Sequence, residues 1–192
     1  LFFVPTPHIV NTKIQISGLN LLARWQRAMI DGDMTLQTYY NLSQRDEVFY
    51  DEFRGTYDID FQHRQALSEQ LELIWGLGFR HSYDDLESSS TIIYTPQKRQ
   101  DSLFSAFVQS EFKIPLDSLG GNQHNLSEQN ELRLILGTKF EHNDYSGFEV
   151  QPSIRLLLNL NDKHNLWTAI SRAVRTPSRS DEDITVQAMT PS

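Results

Sequence analysis

An all-β fold is what this sequence predicts: an antiparallel meander of about eight long strands, forming part of a transmembrane β-barrel. Three features carry that expectation. First, Phe148, Val150, Pro152, Ile154, Leu156, Leu158 and Leu160 share one face of an extended segment, while Glu149, Gln151, Ser153, Arg155 and Asn159 take the other. The segment spans 148–160, well beyond the about 5–6 residues of an ordinary strand and past the about 9–11 that cross a bilayer. Second, the same period-two pattern recurs along the chain, and apolar residues do not line up at helical spacing over any long window. Third, hydrophobic residues make up 39% of the chain and none of its apolar runs reaches about 18 residues. A wall in which only alternate residues meet lipid needs no more.

The strands read in order as follows. Leu19, Leu21, Ala23 and Trp25 alternate with Asn20, Arg24 and Gln26, and Asp31-Gly32-Asp33 reverses the chain. Leu36, Thr38, Tyr40 and Leu42 form the second apolar stripe, followed by a longer polar stretch from Arg45 to Gly55. Tyr57, Ile59 and Phe61 make the third stripe, closed by the connection Ser68-Glu69-Gln70. Leu71, Leu73, Trp75, Leu77 and Phe79 make the fourth, before a long loop from Asp84 to Arg99. Phe104, Ala106, Val108 and Phe112 form the fifth, and a connection holding Gly120-Gly121 runs from Leu116 to Gln129. Leu132, Leu134, Leu136 and Phe140 are the sixth, Phe148 to Leu160 the seventh, and Leu166 to Arg175 the eighth. The connections run short, long, short, long, medium, short, short. Outer-membrane barrels put short turns on the periplasmic side and longer loops outside; the first four follow that rule, and the Leu116–Gln129 connection and the tight Asp144–Gly147 turn break it.

Composition narrows the function classes. A formal charge of −8 argues against nucleic acid, whose phosphates need a clustered basic surface. The absence of cysteine removes disulfide frameworks, thiolate zinc sites and thiol catalysis. Leu1-Phe2-Phe3-Val4-Pro5 lacks the basic start and small-residue cleavage site of a signal peptide. The chain reads as a piece of something longer. Expected divisions are 1–18 for a preceding strand or loop, 19–183 for a partial barrel, and 184–192 for a loop or the start of a further strand.

Several stretches resemble the barrel of TonB-dependent outer-membrane receptors. They are Asn20 to Trp25, Trp75 to Arg80, Phe107 to Glu111, Gly137 to Glu149, Gln151 to Leu156 and, most specifically, Leu166 to Arg179 with its Ser-Arg-Ala-Val-Arg-Thr-Pro-Ser-Arg run. The resemblance covers roughly 19–183. It implies residence in the bacterial outer membrane, contact with its lipid, and import of a scarce nutrient, most often a ferric siderophore. Energy would come from the TonB complex through a plug domain, which this chain does not show. Such transporters have about twenty-two strands around a plugged lumen, so eight strands imply a mid-barrel fragment whose open edges need partners. A self-contained eight-stranded barrel and a soluble β-sheet ligand-binding module are the alternatives. The first would fill a narrow interior with side chains; the second would cover Leu156, Leu158 and Leu160 with protein.

No constellation for bond-making chemistry stands out, no enzyme activity is expected, and no cofactor is called for. The histidines are scattered without metal-ligand spacing. His142 and Glu141 point to opposite faces of a strand, and His81 with Asp84 and Asp85 reads as a solvated cluster. Gly76-x-Gly78 lacks the third glycine and following helix of a phosphate loop, so close backbone approach within a strand is the better reading. Asp58 and Asp60 share a face; a hydrated lumen wall with Arg24 or Arg80 as partner outweighs paired-carboxylate catalysis. The candidate ligand residues are Tyr145, Arg172, Arg175 and Arg179, since arginine suits bidentate capture of an anionic chelate. The competing structural role for these arginines is pairing with lumen carboxylates such as Glu149 and Glu141. Tyr39, Tyr40, Phe49, Tyr50, Tyr57, Trp75, Tyr83, Tyr145 and Trp167 fall often near strand ends, which fits interfacial girdles, and aromatics are also generally common in strands.

Overall fold

The computed structural model describes residues 13–47, 51–87, 92–116, 131–161 and 164–186. Eight long strands pair antiparallel with their sequence neighbours: β1 (Gln15–Met29), β2 (Gly32–Asp46), β3 (Asp51–Ser68), β4 (Leu71–Glu87), β6 (Lys98–Pro115), β7 (Glu131–Asn143), β8 (Gly147–Asn161) and β9 (His164–Ser171). A short strand, β5 (Ile92–Tyr94), lies between β4 and β6 and pairs with β10 (Ile184–Val186). One helical turn, α1 (Arg179–Glu182), precedes β10.

The register keeps every stripe on one face. Leu36 opposes Phe61, Phe61 opposes Leu77, Leu77 opposes Ala106, Ala106 opposes Phe140, and Phe140 opposes Val150. A one-residue slip in any pair would turn a stripe to the wrong side, so the alternation itself fixes the pairing. On that face Phe79 and Phe104 pack with ring centroids 4.7 Å apart, and Phe61 and Trp75 at 5.4 Å. Cross-strand aromatic pairs of this kind hold adjacent strands together.

The stripes meet no second layer. Leu86 and Tyr94 are the buried hydrophobics among the described residues, whereas Leu21 is 65%, Phe148 64% and Ile154 46% exposed. A soluble module of this length would bury a core, and so large an apolar face on a soluble monomer is exceptional. Nor do the edges meet: the sheet runs from β1 to β9 without pairing those two strands, so it is not a closed eight-stranded barrel.

Three readings need correction. The strands are longer than their stripes: β2 continues to Asp46, β3 starts at Asp51, β4 reaches Glu87 and β6 begins at Lys98, all inside segments expected to be loops. Past the apolar band neither face meets lipid, so pairing continues while the alternation that revealed it fades. Conversely, β9 stops at Ser171, short of Arg175; the Arg172 N–H makes one last ladder bond to the Pro152 carbonyl before the chain leaves the sheet. Finally, Tyr39 (opposite Asp58) and Trp167 (opposite Leu157) lie on the polar face, and Tyr145 lies in the β7–β8 turn. These three are not lipid-girdle residues, whereas Tyr40, Tyr57, Trp75 and Tyr83 share the apolar face. Phe49, Tyr50, Ser88 to Ser90, Gly120-Gly121 and Asp162-Lys163 lie outside the described residues.

Gly76 is required by packing. A Cβ there would stand 2.5 Å from the Phe61 carbonyl oxygen and would also strike the Phe107 ring. The carbonyl belongs to the ladder and cannot retreat. Gly76→Ala is therefore expected to destabilise the folded barrel by about 1–3 kcal/mol, read from the urea midpoint of refolding in lipid vesicles. An unchanged midpoint would contradict this packing.

Candidate functional site

The polar face carries its chemistry in rows set by the same register. One row runs Tyr39, Asp58, Arg80, Leu103, Asn143; the next runs Asn41, Thr56, Ser82, Asp101; a third runs Ser43, Arg54, Asp84, Arg99. All three lie toward the end that carries connections 47–50, 88–97 and 144–146. Arg80 Nε donates to Asp58 Oδ2 at 2.7 Å, choosing between the two partners expected for that carboxylate.

After β9 the chain folds back across this end of the polar face. Residue 179 anchors it. Arg179 is 5% exposed; its Nε lies 3.4 Å from Asp84 Oδ1 and its Nη1 3.1 Å from Asp183 Oδ2. Nη2 donates to the carbonyls of Pro96 and Gln97, the latter at 3.2 Å. Arg99 reaches the same carboxylate, with Nη1 3.1 Å from Asp183 Oδ2, while its Nε donates to Asp101 at 2.8 Å. The Arg99 guanidinium sits 3.9 Å over the Tyr145 ring, a cation–π stack. Backbone bonds complete the clasp: β10 pairs with β5, and the Thr95 N–H donates to the Asp183 carbonyl at 3.0 Å.

Local chemistry explains both pieces. In the β7–β8 turn, Asn143 Oδ1 accepts from the N–H groups of Tyr145 (2.9 Å) and Ser146 (2.8 Å), and Gly147 takes φ +70°. An asparagine bonding forward and a glycine in the left-handed region are what a tight reversal demands. Burial first, then the Asp101 charge, pushes the Tyr145 hydroxyl up to about 12, so it stays a neutral donor, held 3.5 Å from Asp183 Oδ2. At α1, Ser178-x-x-Asp181 has capping-box spacing. The Ser178 N–H and hydroxyl both donate to Asp181 Oδ2 at 2.7 Å, and Arg175 Nη2 adds a bond at 2.8 Å.

Those donors, the Ser178 N–H foremost, hold the Asp181 carboxyl at about 2. A depressed carboxylate contributes stability above its ordinary pKa of 3.8 and loses it as pH falls toward the folded value. The α1 turn should therefore persist at pH 5 and loosen between about pH 4 and 2. Carboxyl-carbon NMR of Asp181 should show a midpoint near the lower limit; an ordinary midpoint near 4 would contradict the cap.

The four candidate ligand residues do not form one cluster. Tyr145 and Arg179 are joined through Asp183. Arg172 stands apart, with Nη2 3.0 Å from Glu149 and a bond to the Val150 carbonyl. Arg175 pairs with Asp181 and is 79% exposed. Glu149 is thus a partner for an arginine as expected. Glu141 is not: Lys139, two residues away on the same face, takes it at 2.6 Å, and Gln151 donates to its other oxygen at 2.6 Å. His81 turns to the apolar face and bonds Ser102 Oγ at 3.1 Å, away from Asp84, and no group of three His, Asp or Glu is placed to hold an ion among the described residues.

Sequence reasoning missed Asp84, Arg99, Asp101 and Asp183, the residues that tie the clasp. The first three were assigned to or beside a loop. The Ser178-x-x-Asp181 capping-box spacing is a sequence signal that could have marked the helical turn after β9.

Long antiparallel strands, one apolar exposed face and a polar face with a structured mouth now stand together. The model of the family described as TonB dependent receptor-like, beta-barrel, matches residues 10–189. The chain belongs to this family. No curated protein and no solved structure matches it. The receptor family is one of outer-membrane transporters, and within it this sheet is barrel wall.

Proposed function

We propose that this chain is a wall segment of a bacterial outer-membrane receptor that imports a scarce nutrient, a ferric siderophore being the first candidate. On this reading further strands complete the barrel, a plug domain fills it, and the TonB complex supplies energy through the plug. The wall itself makes and breaks no bonds. It seals against lipid with one face and presents binding groups with the other. The observation that carries the reading is the single-layer sheet, with aliphatic and aromatic stripes exposed along the whole of one face.

Orientation follows from connection length. Residues 30–31 and 69–70 join strands at one end with two residues each, as periplasmic turns do, and 47–50 and 88–97 are longer at the other. The 116–130 connection and the tight 144–146 turn depart from the rule, so the orientation rests on the first four connections and on the structured clasp. The opposite end, with β5, α1 and β10, is then the extracellular mouth. Tyr145 lies under its clasp, Arg179 anchors the clasp itself, and Arg172 and Arg175 follow β9 on the exposed side; all four are proposed to meet ligand or to shape its path.

Nitroxide labels test the lipid face. Attached at Ile154 and Leu158 in the receptor in vesicles, they should be relaxed by dissolved oxygen far more than by a water-soluble nickel chelate. A label at Arg155, on the opposite face, should show the reverse. Equal accessibility at 154 and 155 would sink the barrel-wall reading.

A further inference from the structure

We infer that the polar recess beneath the clasp binds an uncharged, multiply oxygenated ligand, such as a neutral saccharide or a ferric chelate of no net charge, and disfavours anions. The inference rests on the import reading above and narrows its ligand. The recess measures about 480 Å³, within the ordinary range for small-molecule sites. Its floor is the rows of β2, β3 and β4 on the polar face, and its roof is Ser178 and Arg179.

Charge in this recess is closed on itself. Arg54 lies 3.2 Å from Glu52, Arg80 2.7 Å from Asp58, and Arg179 is held by Asp84 and Asp183. Asp101 is taken by Arg99 at 2.8 Å. An anion captured by Arg179 would have to draw it from Asp84 and Asp183, and Asp84 is only 7% exposed. At the terminal nitrogens of Arg80 it would meet the repulsion of the Asp58 carboxylate, 8% exposed and 2.7 Å from Nε. Stripping the partner from a buried charge is strongly unfavourable. A cation meets the same obstacle from the arginine side.

What the recess leaves open is uncharged. The Thr56 and Ser82 hydroxyls touch one another at 3.4 Å and have lone pairs to spare. Tyr39 accepts a bond from Asn20 at 3.1 Å, which leaves its own proton free to donate. The Asn41 amide offers a donor and an acceptor side by side with them. Arg80 commits Nε to Asp58 and keeps its terminal nitrogens as neutralised donors. Alternating donors and acceptors of this kind match hydroxyl and carbonyl oxygens, and they reject a ligand whose charge they cannot balance.

The test uses the full receptor in detergent, with three probes followed by calorimetry: maltotriose, a neutral ferric trihydroxamate, and a trianionic ferric tris-catecholate. The expected result is binding of one of the neutral probes, with an affinity that shifts less than about twofold between low and high salt. Asn41→Ala with Ser82→Ala, which removes hydrogen-bonding groups without adding bulk or charge, should weaken it about tenfold or more. Binding of the trianion alone, or neutral-probe affinity unchanged in the double variant, overturns the inference. Uptake by intact cells separates the two levels. If the trianion is imported and import stops when the proton gradient is dissipated, the transport reading stands and the ligand class is wrong. If none of the three probes is bound or imported, both fall.

Discussion

Arg179→Ala is expected to release the whole segment from α1 to β10 from the polar face. The guanidinium touches two carboxylates and two carbonyls while 5% exposed. Its removal leaves Asp84 without its buried partner; Arg54, the nearest other cation, stands 3.8 Å from it and is 41% exposed. Breaking a buried pair from one side costs about 3–5 kcal/mol, more than a three-residue strand pair can hold alone. Hydrogen exchange at the β5 and β10 amides should accelerate by about two to three orders of magnitude, while the β3 and β4 interiors stay protected. Arg179→Lys should fall between, because an ammonium carries the charge but cannot fork across Asp84, Asp183 and the carbonyls at once. Replacing both partners, Arg179→Met with Asp84→Leu, should restore part of the loss, since neither charge is then left unpaired. Unaltered exchange in the alanine variant would show that the backbone pairing alone holds the clasp.

That network also marks where sequence reading stops. The stripes of β3, β4, β6 and β8 were legible because one face meets a single environment over its whole length, and a period of two follows from pleating alone. The strand ends were not, because Asp84 to Glu87 and Lys98 to Asp101 pair beyond the apolar band, where neither face is penalised for being polar. Face assignment failed for Tyr39 and Trp167 for a related reason: an aromatic near a strand end reads as a girdle residue until the register says which way it points. The clasp was out of reach for another cause. Arg179 meets Pro96 across 83 residues of sequence, and no local pattern encodes which distant carboxylate an arginine will find. The cluster of arginines was visible and one of its partners, Glu149, was anticipated. The buried one, Asp84, sat in a segment read as a solvated loop, so Arg179, the buried arginine among the described residues, read as available for ligand.

Ile154→Arg should be the most damaging single change on the lipid side. Ile154 lies mid-stripe in β8, 46% exposed, between Pro152 and Leu156 on the apolar face and opposite Leu136 of β7. An arginine placed on the lipid face near the bilayer midplane costs about 2–4 kcal/mol in such barrels. The neighbouring residue supplies the control that nature has already run. Arg155 sits one position along, opposite Ile135, and points to the polar side, so the strand already carries this side chain at almost the same depth. Ser153→Arg, also on the polar face, should therefore shift stability by about 0.5 kcal/mol or less. The comparison is made on the full receptor refolded into vesicles, by urea titration of tryptophan fluorescence. A large loss at 154 with little at 153 shows that the stripe faces an apolar environment and its neighbours a polar one, and relaxation of the Ile154 label by dissolved oxygen then assigns that environment to acyl chains. Similar losses at both positions would mean that protein covers both faces, and the sheet would then be one layer of a packed core instead of the wall of a membrane barrel.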